Sequence, residues 1–163
     1  MGDFAKTGEG AEKVDRKHVA ALNNPKGFKG FEDLLAPGTK ILVVQGAGQT
    51  GVWEDVAGRK GNIQTVRAFR KNIAVFAANS AEAKKAWIEK ADLDAWLIWN
   101  IWQVANKELA DLVPIKEEYQ VYRDAGIALT RQGKTKEAAR KFVEFVQSPE
   151  GGKIFAKWGW MVP

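Results

Sequence analysis

The run Ile41 to Asp55, ILVVQGAGQTGVWED, constrains this chain more than any other stretch. Ile41 to Val44 are four apolar residues in a row with no polar alternation. That pattern specifies a strand buried on both faces, as in a parallel sheet covered by helices on each side. Gly46, Gly48 and Gly51 then supply the backbone freedom of a tight strand-to-helix turn. Thr50 to Ala57 can form the short helix that follows. The first N–H groups of a helix have no intrahelical partners, so the turn is a candidate site for a small anion.

The same grammar repeats downstream. Asn62 to Lys71 has helical spacing and stops at Asn72, and Ile73 to Ala78 (IAVFAA) is a second buried strand. Asn79 and Ser80 are both cap-type residues, and they open a helix running to about Lys90 with Ala83, Ala86 and Trp87 on its packed side. Ala95 to Trp99 (AWLIW) is a third buried strand, and Asn100 to Ala105 starts a helix from its carboxyl end. Strand, helix, strand, helix, strand is the α/β order, with parallel strands and right-handed crossovers.

Flanking this unit the signals are shorter. Val14 to Leu22 has a weak helical period, Asn23 to Gly27 is a break, and Phe28 to Leu35 gives an amphipathic turn with Phe31, Leu34 and Leu35 on one face. Leu112 to Ile115, Tyr119 to Tyr122 and Gly126 to Thr130 read as edge or hinge strands, and Gly133 breaks the chain. Thr135 to Val146 carries an apolar stripe of Ala138, Ala139, Phe142, Val143 and Val146 that must pack on something. Ser148-Pro149 restarts a helix with serine as its cap, whose face Ile154, Phe155 and Trp158 should bury and which Gly159 ends.

Composition removes several classes of function. There are no cysteines and a single histidine, His18, so zinc, iron–sulfur, disulfide and thiol-nucleophile chemistry have no residues to work with. No cofactor or metal is called for. The net charge of +5 is spread along the chain without a run of five like charges, a mild bias toward anionic partners and a weak case for nucleic acid, which is not expected as a partner. The longest uncharged stretch, Ala95 to Asn106, is shorter than the roughly 20 residues of a bilayer span, so no membrane span is expected. MGDFAKTGEG lacks the apolar core of a secretory signal. Four of the seven tryptophans crowd between Trp87 and Trp102, and most are expected in the core.

Three readings compete at the glycine turn. Gly46 to Gly51 satisfies G-x-G-x-x-G behind a strand and ahead of a helix, the fingerprint of a dinucleotide site in an NADP-dependent enzyme with a Rossmann-like half-domain. Such a site wants an acid or arginine after the next strand, whereas IAVFAA runs into Asn79-Ser80 and the cluster Arg67, Arg70 and Lys71 precedes it. A turn serving only packing is the second reading. Catalysis finds no constellation: Glu54 and Asp55 are adjacent and diverge on a helix, Glu117 and Glu118 suit a solvated loop, and Ser80 and Ser148 suit helix caps. The third reading, anion binding, uses three strand ends together. Gly46, Gly48, Gln49, Thr50 and Gly51 end the first strand, Ser80 follows the second and Asn100 the third, and carboxyl ends of parallel strands are where open α/β sheets bind ligands. At most one of Arg67, Arg70 and Lys71 would add charge, and at least two of them suit a solvated face.

Four segments taken together, GAGQTGVWEDVAGRKG, VRAFRKNIAVFAANSAEAKKAW, DAWLIWNIWQVAN and FVEFVQSPEGGKIFAKWGW, resemble the accessory colonization factor AcfC family. That family belongs to the type II periplasmic solute-binding proteins, akin to molybdate- and sulfate-binding proteins. The resemblance runs from about Pro25 to the end. It implies a two-lobed clamshell with a mainly parallel sheet flanked by helices, its C-terminal helices returning to the first lobe. It also implies a periplasmic protein that captures a small anion such as sulfate, molybdate or a carboxylate, without chemistry, for an ABC importer or as a colonization factor. Carried over, Gly48, Gln49, Thr50 and Gly51 form the anion loop of the second lobe, and Asn100 and Ser80 are further contacts. Residues 25–106 correspond to that lobe, 107–163 to hinge strands and C-terminal helices of an incomplete first lobe, and 1–24 to a poorly defined segment. The family carries a leader and a first lobe ahead of the segment matching Lys29 to Leu34, which Met1 to Asn24 cannot supply. The expectation is a relative short of most of that lobe, with the remainder on another chain or its face covered in a homodimer.

Overall fold

The computed structural model describes residues 2–5, 24, 26–46 and 48–162. The helix expected at Val14 to Leu22 lies outside them. The chain divides into two compact units, Met1–Val121 and Tyr122–Pro163.

The first unit is built on a five-stranded sheet. Its strands are β1 (Gly2–Ala5), β2 (Ile41–Val44), β3 (Ile73–Ala77), β4 (Ala95–Ile98) and β5 (Asp111–Pro114), in the order β3-β2-β4-β1-β5. β2 pairs in parallel with β3 and with β4. β1 is antiparallel to both β4 and β5, so it alone runs against the other four. The three strands expected from the sequence are therefore all present and parallel, but β3 lies at the sheet edge with only Ile73 and Ala77 buried, so the reading of IAVFAA as a fully buried strand is corrected. β1 was not expected at all, because strand pairing through the backbone gives GDFA no propensity or alternation to betray it.

Helices cover both faces, which is why β2 and β4 are buried at every position. Ile41 and Val43 point to one side, against Phe31 and Leu34 of a 3-10 turn (Phe31–Leu35), Trp53 and Val56 of α1 (Val52–Gly58), and Phe69 of α2 (Ile63–Asn72). Leu42 and Val44 point to the other, against Ala83 and Trp87 of α3 (Ser80–Glu89) and against Trp96. Phe31 stacks on Phe69 at 5.4 Å and meets Tyr119 at 4.5 Å, while Trp87, Trp96 and Trp102 form a chain of rings about the second face. α4 (Asn100–Ala105), which carries Trp102, follows β4 directly.

Two polar anchors fix the helix ends. The Asn72 amide donates to the carbonyls of Leu34 (2.7 Å) and Ala36 (2.8 Å), tying α2 to the 3-10 turn beneath it. Leaving those two carbonyls unpaired would cost about 2 kcal/mol. Asn79 caps α3, its side chain accepting from the N–H of Glu82 at 2.9 Å.

After β5, Glu117–Tyr119 forms a 3-10 turn and the chain to Val121 is irregular, so the strand expected at Tyr119 to Tyr122 does not form. Lys60 to Glu118 and Lys116 to Glu32 ion pairs hold this tail, and it is the aromatic burial of Tyr119 rather than a ladder that fixes it. The Lys116 ammonium, hydrogen-bonded to Glu32, holds that carboxyl below its ordinary range.

In the second unit the expected strand at Gly126 to Thr130 is likewise irregular. Gly133 does not break the chain. It lies inside a short helix, α5 (Arg131–Lys134), where its N–H donates to the capping Thr130 hydroxyl. α6 (Glu137–Gln147) and α7 (Pro149–Lys157) follow, with Ser148 capping α7 and Pro149 in its first turn as the sequence predicts. Their turn is tight because Gly151 has no side chain: a Cβ there would stand 2.3 Å from the Phe145 carbonyl. The apolar stripes are not buried as expected. No residue of α6 is buried, and Phe142, Phe145, Ile154 and Trp158 are exposed, since two helices meeting at one turn cannot enclose both stripes. Phe155 packs edge-on against Trp160.

Candidate functional site

The strand register brings three loops to one end of the sheet. Val44 lies beside Ala77 and Val43 beside Leu97, so the residues that follow β2, β3 and β4 emerge together. The ladder continues one step past β2, where the Gln45 N–H donates to the Ala77 carbonyl at 2.9 Å. Gly46 then passes so close to the β3 exit that a Cβ on it would stand 2.2 Å from the Ala78 carbonyl oxygen. Glycine is demanded here by close approach rather than by backbone angle. At Gly48 (φ 80°) and Gly51 (φ 79°) it is demanded by the left-handed conformation.

The turn closes with the Gln49 N–H donating to the Gly46 carbonyl at 2.9 Å, and it swings the Gln49 side chain inward. Gln49 is 2% exposed, one of very few buried polar residues. Its Nε2 donates to the Ser80 hydroxyl at 2.7 Å, joining the end of β2 to the end of β3. A hydroxyl that accepts this bond keeps its own proton to donate elsewhere.

Ser80 is free for that role because Asn79 alone caps α3. The sequence reading of both residues as caps is corrected: Asn79 holds the cap position and Ser80 is the first helical residue. Glu82 stabilises this corner, with Oε1 accepting from the Asn79 amide at 3.0 Å and Oε2 from the Ala78 N–H at 3.3 Å. Its role was readable from the Asn-x-x-Glu spacing of a capping box. At the other side of the turn, Gly51 occupies the cap position of α1 with no side chain, so nothing from the cap residue occupies the first-turn N–H groups. Thr50 and Gly48 are exposed, and Gly46, Gly51 and Ser80 are half-buried. Asn100, also half-buried, opens α4 at the end of β4.

At the opposite, amino end of β2 and β4, the Asp94 carboxylate accepts from the Lys40 N–H (2.8 Å) and from Lys26 (2.7 Å), and Lys40 pairs with Asp92. The Lys40 ammonium holds the Asp92 carboxyl below its ordinary range. None of the seven candidate residues is acidic, but Glu54 and Asp55 lie in the first turn of α1 and Glu82 in that of α3, beside the same loops. Among the described residues no three of His, Asp and Glu are placed to hold a metal ion. Arg67, Arg70 and Lys71 are all exposed, as the solvated-face reading has it for at least two of them. They line a separate groove along α2 that includes none of the seven candidates.

A mixed but mainly parallel sheet, helices on both faces and loops gathered at the strand carboxyl ends define a periplasmic-binding-protein-like α/β unit. The chain belongs to the bacterial extracellular solute-binding protein family, whose model matches residues 18–161. Among solved structures it is similar to PEB3 with L-phospholactate bound, at 30% identity and a TM-score of 0.76, covering 99% of this chain and 65% of that one. A glycosylated PEB3 variant matches at 30% identity and a TM-score of 0.74, and Peb3 from Campylobacter jejuni at 29% and 0.73, with the same coverage. The chain thus spans about two thirds of the length of the structures it matches. No curated protein matches it.

Proposed function

We propose that this chain is a non-catalytic solute-binding module that captures a small anion at the turn Gly46–Gly51, with Ser80 and Asn100 as further donors. The observation that carries the reading is the partly buried Gln49–Ser80 hydrogen bond, which joins two strand ends into one preorganised corner and leaves the hydroxyl proton to point away from Gln49. Backbone N–H groups at the amino ends of α1 and α3 add partial positive charge at the same corner. Binding needs only hydrogen bonds and these dipoles.

The anion class is sulfate, molybdate or a carboxylate, and the L-phospholactate bound to PEB3 adds a phosphorylated carboxylate to it. Narrower membership in the AcfC family, periplasmic location, and delivery to an ABC importer or service as a colonization factor follow from the resemblance of the four segments above. In this reading residues 25–106 form the ligand-binding lobe and 107–163 the hinge and C-terminal helices of the other.

A thermal-shift panel tests the reading. A ligand present at about 100 times its Kd stabilises by about 2.7 kcal/mol, or roughly 5–10 °C for a chain of this size. Sulfate, molybdate, citrate, 3-phosphoglycerate or L-phospholactate should give such a shift, and NADP(H) should not. The reverse pattern would establish a nucleotide site in its place.

A further inference from the structure

A second surface is built differently from the anion corner. Along α2 runs a groove of about 990 Å³ whose lining includes Leu35, Trp53 and Val66, with Arg67, Arg70 and Lys71 among them and no acidic residue. The three cations share one side of the helix through their i, i+3 and i+4 spacing. None of them has an ion pair among the described residues, although Lys26, Lys40, Lys60 and Lys116 elsewhere in the same unit all do. Arg70 is also preset. Its guanidinium lies over the Phe76 ring at 4.5 Å from the centroid, which fixes the plane of the fork while leaving its edge N–H groups available. At the same place the buried Trp53 Nε1–H has no hydrogen-bond acceptor.

We infer that this groove is a docking site for an acidic segment of a partner protein: an extended peptide whose carboxylates meet Arg67, Arg70 and Lys71 while a neighbouring apolar side chain lies on the groove floor. Charge complementarity selects the sign of the occupant, and an orientated guanidinium suits bidentate carboxylates. The apolar floor and only three cations disfavour a nucleic-acid backbone, which rewards many regularly spaced phosphate contacts. The groove shares no residue with the anion corner, so a partner can dock whether or not an anion is held.

The test is fluorescence anisotropy with a fluorescein-labelled heptapeptide alternating glutamate with phenylalanine and leucine, compared with the same peptide carrying glutamine at each glutamate. The acidic peptide should bind the intact chain, and binding should weaken at least about tenfold in the Arg67→Glu/Lys71→Glu variant and on raising salt from about 50 to about 200 mM. Arg70→Ala should weaken it as well, and the melting temperature of each variant should stay close to that of the parent, because all three side chains are exposed. Saturating L-phospholactate should leave the affinity unchanged. Equal binding of the glutamine peptide, no effect of the charge reversal, or no binding of the acidic peptide to the folded parent would overturn the inference.

Discussion

Gly46→Val should abolish anion binding and destabilise the first unit by about 3 kcal/mol. Even the first atom of the new side chain would stand 2.2 Å from the Ala78 carbonyl oxygen, and that oxygen is backbone, so no rotamer change relieves the clash. The exits of β2 and β3 would have to part. That movement breaks the Gln45 to Ala77 hydrogen bond and pulls Gln49 away from Ser80. By circular dichroism the expected fall in Tm is roughly 6–12 °C. Gly58→Ala is the matched control, because a Cβ there meets only the Val66 side chain at 3.8 Å and should leave both stability and binding near those of the parent. A Gly46→Val protein that melts with the parent and still binds would show that the close approach at Ala78 does not shape the site.

The second large effect is expected at the pair Gln49 and Ser80. Ser80→Ala removes the donor that the proposed site directs at the anion, and a hydrogen bond to a charged group contributes about 1.5–3 kcal/mol, so affinity should fall roughly 10- to 100-fold. Gln49→Ala removes the group that orients the hydroxyl and leaves a small buried void. It should cost about 1 kcal/mol of stability and a similar, slightly smaller, fraction of the affinity. Because Gln49 acts through Ser80, the double variant should lose less than the product of the two single losses. Calorimetric titration of the four proteins measures this coupling. Strictly multiplicative losses would mean that the two side chains act on the ligand independently.

The interior of the fold was legible because its signals are local. Ile41 to Val44 and Ala95 to Ile98 are short apolar runs bounded by turn residues, and burial on both faces is what such runs encode, whereas the similar run Ile73 to Ala77 falls at the sheet edge and is buried only at its ends. The glycines of the turn were legible for the same reason. Four things were not. β1 takes its place through main-chain pairing on both edges, which four residues of mixed type do not announce. Tyr119 looked like a strand residue because aromatic and β-branched neighbours favour strands, yet its ring is used in packing on Phe31. The partnership of Gln49 with Ser80 spans 31 residues, and composition carries no trace of it. Likewise, the helical row Arg67, Arg70 and Lys71 could be read from spacing, but that its members line a groove apart from the anion corner depends on how α2 packs.

The measurement that bears most directly on the anion corner is a ¹⁵N-labelled NMR titration with L-phospholactate. The proposed site predicts that the largest shifts fall on the amides of Gly46, Gly48, Gln49, Thr50, Gly51 and Ser80, on the Gln49 side-chain amide and on Asn100. The amides of Arg67 to Asn72 should stay in place. Shifts centred on α2, or a spectrum unchanged at millimolar ligand, would contradict it.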